Sequence, residues 1–104
     1  MLKINPSQTP NFWVYILFCT NESFYTGYTV DLNRRYQAHV QGIAAKYTRS
    51  FPPLSIAQAW PLYGKKSQAM QIERLIKKMN KRDKLFLIKN PLSLEKIFLE
   101  QGNF

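Results

Sequence analysis

FWVYILFCTNESFYTGYTVDLNRRYQAH, residues 12–39, decides the fold. It opens with FWVYILFC (12–19), a continuous apolar and aromatic run. Eight such residues are too few for a typical helix and suit a central strand buried on both faces. Thr20 to Ser23 is a polar turn. FYTGYT (24–29) is rich in β-branched and aromatic residues, so it reads as a second strand paired with the first in a hairpin. Asp31 is a good N-cap for a helix running to about Gln41, and Gly42 is a good stop.

Working outward, IAAKYTRSFPP (43–53) is a basic connector with room for one short helical turn. LSIAQAWP predicts a third strand ending before Pro61. Ser67 caps the next helix, whose apolar positions Ala69, Ile72, Ile76 and Met79 fall on one side. Asn80 caps another helix, with Asp83 three residues on, as in a capping box. Asn90 precedes Pro91, which disfavours further helix there. Ser93 starts a last helix, closed by Gly102. The order β-β-α-β-α-α-α predicts an α+β fold: a small three-stranded antiparallel sheet with helices packed on it. Residues 1–11 read as a flexible tail, 12–90 as the domain and 91–104 as its helical extension.

The 104 residues suit one core, and a hydrophobic content of 45% is ordinary for a globular chain. No apolar run approaches the ~20 residues of a membrane span, and the polar, proline-containing N-terminus is no signal peptide. Cys19 is the single cysteine, which excludes an internal disulfide and points to the cytoplasm. The charge is one-sided: 15 Lys+Arg against 6 Asp+Glu gives +9. Such an excess calls for an anionic partner, nucleic acid first and a membrane surface second. Nine of the 15 basic residues lie between Lys65 and Lys89, with only Glu73 and Asp83 among them as acids. A phosphate backbone would relieve their mutual repulsion.

Glu73 admits two readings: a surface pair with Lys77 one turn on, or a carboxylate ligand for a hard divalent cation. Arg35 and His39, four residues apart, are either an exposed pair or a charge-neutralising arginine beside a proton-handling histidine. Tyr15 and Tyr25 on neighbouring strands are core aromatics or members of a site. Gly27 inside a strand marks a bulge or the close approach of a ligand or another backbone.

Taken in order, these residues resemble the GIY-YIG nuclease superfamily, in its small stand-alone bacterial branch. Trp13-Val14-Tyr15 and Tyr25-Thr26-Gly27 match the two triplets. Asp31, Leu32, Arg35 and His39 match the helix that follows, and AMQIERLIKK matches the helix bearing the metal-binding glutamate, Glu73. AAKYTR carries the Lys-x-Thr-Arg segment of that branch at Lys46, Thr48 and Arg49. Trp13, Val14 and Thr26 depart from the motif at backbone and packing positions, and Asn90 is only a loose match to an asparagine that often follows the glutamate helix. The resemblance covers about residues 12–90.

The resemblance implies a metal-dependent endonuclease that hydrolyses DNA phosphodiesters in repair or processing; the sequence itself leaves the choice between DNA and RNA open. It implies one divalent ion, Mg²⁺ or Mn²⁺, on Glu73, and catalytic roles for Tyr15, Tyr25, Arg35, His39 and Glu73. One tyrosine would activate the water and the other position it. Gly27, Lys46, Thr48, Arg49 and Lys77 would contact the substrate. It implies no membrane and no obligate protein partner. The rival readings are a nucleic-acid-binding module without catalysis, and an interaction protein using Phe98, Leu99 and Phe104.

Overall fold

The computed structural model describes residues 9–100. Strand β1 (Phe12–Cys19) is central: the sheet order is β2-β1-β3, with β2 (Phe24–Thr29) and β3 (Pro53–Leu62) both antiparallel to it. The predicted α+β architecture is the one observed. The chain already joins the sheet at Asn11, whose N–H donates to the Leu62 carbonyl at 2.8 Å. Residues 1–8 of the predicted tail, and Gly102 and Phe104, lie outside the described residues.

The apolar run of β1 is explained by helices on both of its faces. On one face Val14 and Ile16 join Trp60 and Leu62, and against them pack α3 (Lys66–Lys78), α4 (Lys81–Lys89) and α5 (Ser93–Glu100) through Ala69, Ile72, Ile76, Leu87, Leu94 and Phe98. On the other, Tyr15, Leu17 and Cys19 meet Leu32 and Tyr36 of α1 (Leu32–Val40). Phe98, read above as a contact surface of the rival interaction protein, is thus part of the core, while Leu99 is exposed.

Three expectations shift. β3 does not stop before Pro61 but runs to Leu62. It is an edge strand, where alternate N–H groups face away from the ladder, so a proline costs no pairing there. Helix α3 begins at Lys66, with Lys65 and not Ser67 as its N-cap. The Gln68 side chain folds back to accept the Lys65 N–H at 3.1 Å, passing so close to Gly64 that a Cβ there would collide with its Oε1. The connector contains a true helix, the five-residue α2 (Lys46–Ser50).

Candidate active site

The site is built on the α1 face of the sheet. Cross-strand register puts Tyr15 opposite Gly27 and Leu17 opposite Tyr25, so Tyr15, Gly27 and Tyr25 share that face. A Cβ on Gly27 would lie 2.5 Å from the Tyr15 hydroxyl oxygen. The close approach that this glycine permits is therefore that of the Tyr15 ring, folded across the neighbouring strand.

Helix α1 is started by Asp31, whose Oδ1 accepts the Arg34 N–H at 3.1 Å. Leu32, Tyr36 and His39 follow one another at helical spacing and turn toward the sheet. His39 is only 1% exposed. The expectation of one shared Arg35–His39 face is thereby refined: His39 points in, while Arg35 stays in solvent. Arg35 helps line a groove of about 290 Å³ with Thr29, Val30, Asp31, Arg34 and Ala38, and it forms no ion pair among the described residues.

A hydrogen-bonded chain runs inward from the tyrosine. Tyr15 Oη lies 2.8 Å from His39 Nε2, and His39 Nδ1 lies 2.7 Å from Thr48 Oγ1. The Thr48 hydroxyl donates to the Ala45 carbonyl at 3.3 Å. Its one proton is thus committed, and it must accept from His39 Nδ1–H. That leaves Nε2 as a lone pair, so the Tyr15 hydroxyl donates to it. His39 is the neutral tautomer, and its pKa is lowered from 6.5 to about 4 by burial and then by Arg35. Burial, followed by the neighbouring Tyr25, pushes the Tyr15 phenol well above its ordinary value, Arg35 pulls it down and Glu73 adds to the rise.

Glu73 comes from α3. Its carboxylate is half-buried and pairs with Lys77 at 3.3 Å. No group of three or more His, Cys, Asp or Glu side chains clusters among the described residues. A lone carboxylate suits Mg²⁺ or Mn²⁺, which keep several waters and take further oxygens from a phosphate substrate, and it does not suit a zinc cage. The donor set thus fits one hydrated hard cation on Glu73.

Of the other sequence-predicted residues, Lys46 and Arg49 stand exposed on α2 beside a depression of about 190 Å³. Lys77 is exposed and engaged with Glu73. Thr48 differs from its expected role: it is fully buried behind His39, so its hydroxyl serves the histidine and not the solvent side. Sequence reasoning passed over Tyr47. It stacks on Tyr25 with ring centroids 5.9 Å apart. Its place between Lys46 and Thr48 was the available signal.

The GIY-YIG catalytic domain matches residues 11–86. The chain belongs to the GIY-YIG family, a family of nuclease type. It is 43% identical over 77 residues to a UPF0213 protein of Xanthomonas campestris pv. campestris, covering 73% of this chain and 74% of that one. It is 46% identical over 76 residues to UPF0213 protein OB0043 of Oceanobacillus iheyensis, covering 73% and 87%. The solution NMR structure of UPF0213 protein BH0048 from Bacillus halodurans is 40% identical, covering 75% of this chain and 82% of that one, with a TM-score of 0.49. Among the described residues of this GIY-YIG protein, no helix is long and apolar enough to cross a membrane.

Proposed function

We propose that this GIY-YIG protein is an endonuclease that hydrolyses DNA phosphodiesters with the help of one divalent metal, Mg²⁺ or Mn²⁺, in DNA repair or processing. The observation that carries this reading is the Tyr15–His39–Thr48 chain, a proton path ending in a buried neutral imidazole, set beside the exposed guanidinium of Arg35. A structural tyrosine needs only a partner for its hydroxyl. It does not need an imidazole whose tautomer is fixed from behind.

Tyr15 keeps its own proton in the resting enzyme, because its surroundings oppose the phenolate. Its oxygen retains a lone pair while its O–H donates to His39. A water placed on that lone pair would lose a proton to Tyr15 as Tyr15 passes its own to Nε2. His39 thus holds the proton, and Thr48 keeps the ring in the receiving tautomer. Tyr25, whose ring meets His39 edge-on at 5.1 Å, walls the other side and positions the water. Arg35 complements the charge that gathers on the phosphate oxygens. Gly27 keeps the strand low enough for Tyr15 to reach across. Lys46 and Arg49 hold flanking phosphates. Glu73 would hold the divalent ion, which when bound polarises the phosphate and stabilises the leaving oxygen.

The test is cleavage of labelled single-stranded, duplex, flapped and branched DNA with Mg²⁺, Mn²⁺ or EDTA. Arg35→Ala and Glu73→Gln are expected to lose cutting, by about a hundredfold or more for the removal of an electrostatic stabiliser, while remaining folded. Metal-independent cutting, or full activity in both variants, would sink the reading. Binding without cutting by all three proteins would leave a nucleic-acid-binding module.

A further inference from the structure

An aromatic path leads out of the site. From His39 it passes to Tyr25 at 5.1 Å, to Tyr47 at 5.9 Å in a stacked arrangement, and to Phe51 at 5.4 Å in a tilted one. The first rings are sheltered, but Tyr47 is 37% and Phe51 39% exposed. Packing alone does not ask for this. Phe51 has no polar tip to keep wet, and an exposed ring gains less than a buried one. Tyr47 is also held in place. Its hydroxyl is bonded to the Ser23 hydroxyl and accepts from Asn21 Nδ2 at 3.0 Å, which pins the ring to the β1–β2 turn.

The surroundings of these rings are cationic. Lys46 and Arg49 flank Tyr47 on α2. Lys84 of α4 is close enough to feel both the Tyr47 hydroxyl and the Lys77 ammonium. Lys77 in turn touches Glu73. A rigid aromatic step between cations, opening from the reacting groups, complements a chain that alternates phosphates with flat bases. Bases paired within a duplex are stacked on one another and keep their faces to themselves. Unpaired bases offer theirs, and each base–aromatic stack contributes measurably to binding.

We propose that the Tyr25–Tyr47–Phe51 ladder is a stacking platform for unpaired bases of single-stranded DNA lying next to the scissile phosphate. The proposal rests on the nuclease reading for the position of that phosphate. Binding to the ladder itself does not depend on cleavage, so the two can fail separately.

The experiment measures fluorescence anisotropy of a labelled oligothymidylate and of a duplex of equal length, in EDTA, with Glu73→Gln as the parent so that nothing is cut. Phe51→Leu and Tyr47→Leu are expected to weaken oligothymidylate binding about fivefold or more and to leave duplex binding nearly unchanged. Tyr47→Phe keeps the ring and is expected to retain most of the affinity, which separates stacking from the hydroxyl's hold on the turn. Phe51 makes no hydrogen bond through its side chain, so Phe51→Leu also tests the ladder without disturbing that turn. Equal weakening on both nucleic acids, unchanged oligothymidylate binding in Phe51→Leu, or failure of the parent to bind oligothymidylate would each overturn the proposal. Normal, ring-dependent binding by a wild type that cuts nothing would overturn the nuclease reading and leave the platform standing.

Discussion

At the scale of single residues, the proposed mechanism depends on one histidine being neutral and correctly protonated. Thr48 secures this by accepting from Nδ1 at 2.7 Å. Thr48→Val keeps the shape and removes the acceptor, leaving a buried N–H without a partner, at a cost of about 1–3 kcal/mol. Urea denaturation is expected to show that loss, and single-turnover cleavage to fall with it, while Thr48→Ser restores both. If the Thr48→Val variant cut DNA as fast as wild type across the pH range, Thr48 would be a packing residue only. The pH dependence of stability follows from the same imidazole. His39 has a pKa of about 4 in the fold, below its ordinary 6.5. The unfolded chain therefore takes up the proton first. The neutral ring's contribution is complete above pH 6.5 and is lost as the pH falls toward 4, a change on the order of 3 kcal/mol. Stability measured between these limits is expected to fall more steeply for wild type than for His39→Gln. Parallel curves would remove His39 as the cause. Tyr15, Arg35, His39 and Glu73 stood out as candidates because their types and spacing match a family pattern. The inward turn of Thr48 was not legible, since a short basic helix gives no clue to which of its residues faces an imidazole.

At the scale of elements, two helix starts are set by local chemistry and were legible for that reason. Asp31 and Asn80 cap their helices with side-chain oxygens, accepting from Arg34 N at 3.1 Å and Asp83 N at 2.8 Å. Asn80→Ala is expected to cost about 1 kcal/mol, or roughly 4–8 °C in Tm for a domain of this size, and Asn80→Asp to cost much less. Equal melting of wild type and Asn80→Ala would mean that α4 is held by packing alone. The boundaries that moved depended on information outside the local sequence. Pro61 stays in β3 because β3 is at the sheet edge, and that position follows from strand order. Gln68 makes Lys65 the start of α3 by folding back over Gly64, which has no side chain to obstruct it. The two irregularities in β1–β3 pairing, after Ile16 and after Phe18, insert a residue into β3 each time and have no mark in the sequence that sets them apart from regular strand.

At the scale of the whole molecule, the nuclease reading assigns the range of the interaction to net charge and its chemistry to the site. A formal charge of +9 on 104 residues attracts DNA without choosing a sequence. Bound phosphates release counterions, so log K should fall linearly with log salt, by about 0.7 per phosphate on a single strand and about 0.9 on a duplex. Lys46 and Arg49 are exposed on a helix whose buried residue is Thr48, so neutralising them should leave the core intact. The double substitution Lys46→Gln and Arg49→Gln is expected to weaken binding to every sequence alike and to flatten the salt dependence by about 1.4 on single strands. Tm should stay where it is. This differs from the effect of Phe51→Leu, which on the stacking proposal removes a contact to a base and should shift affinity at every salt concentration by the same factor. Titrations of both variants over a range of NaCl concentrations separate the two contributions. If the double substitution shifts affinity by a constant factor and leaves the slope unchanged, the phosphates are held by other cations, with Lys77 and Lys84 at the Tyr47 side of the site the next to be substituted.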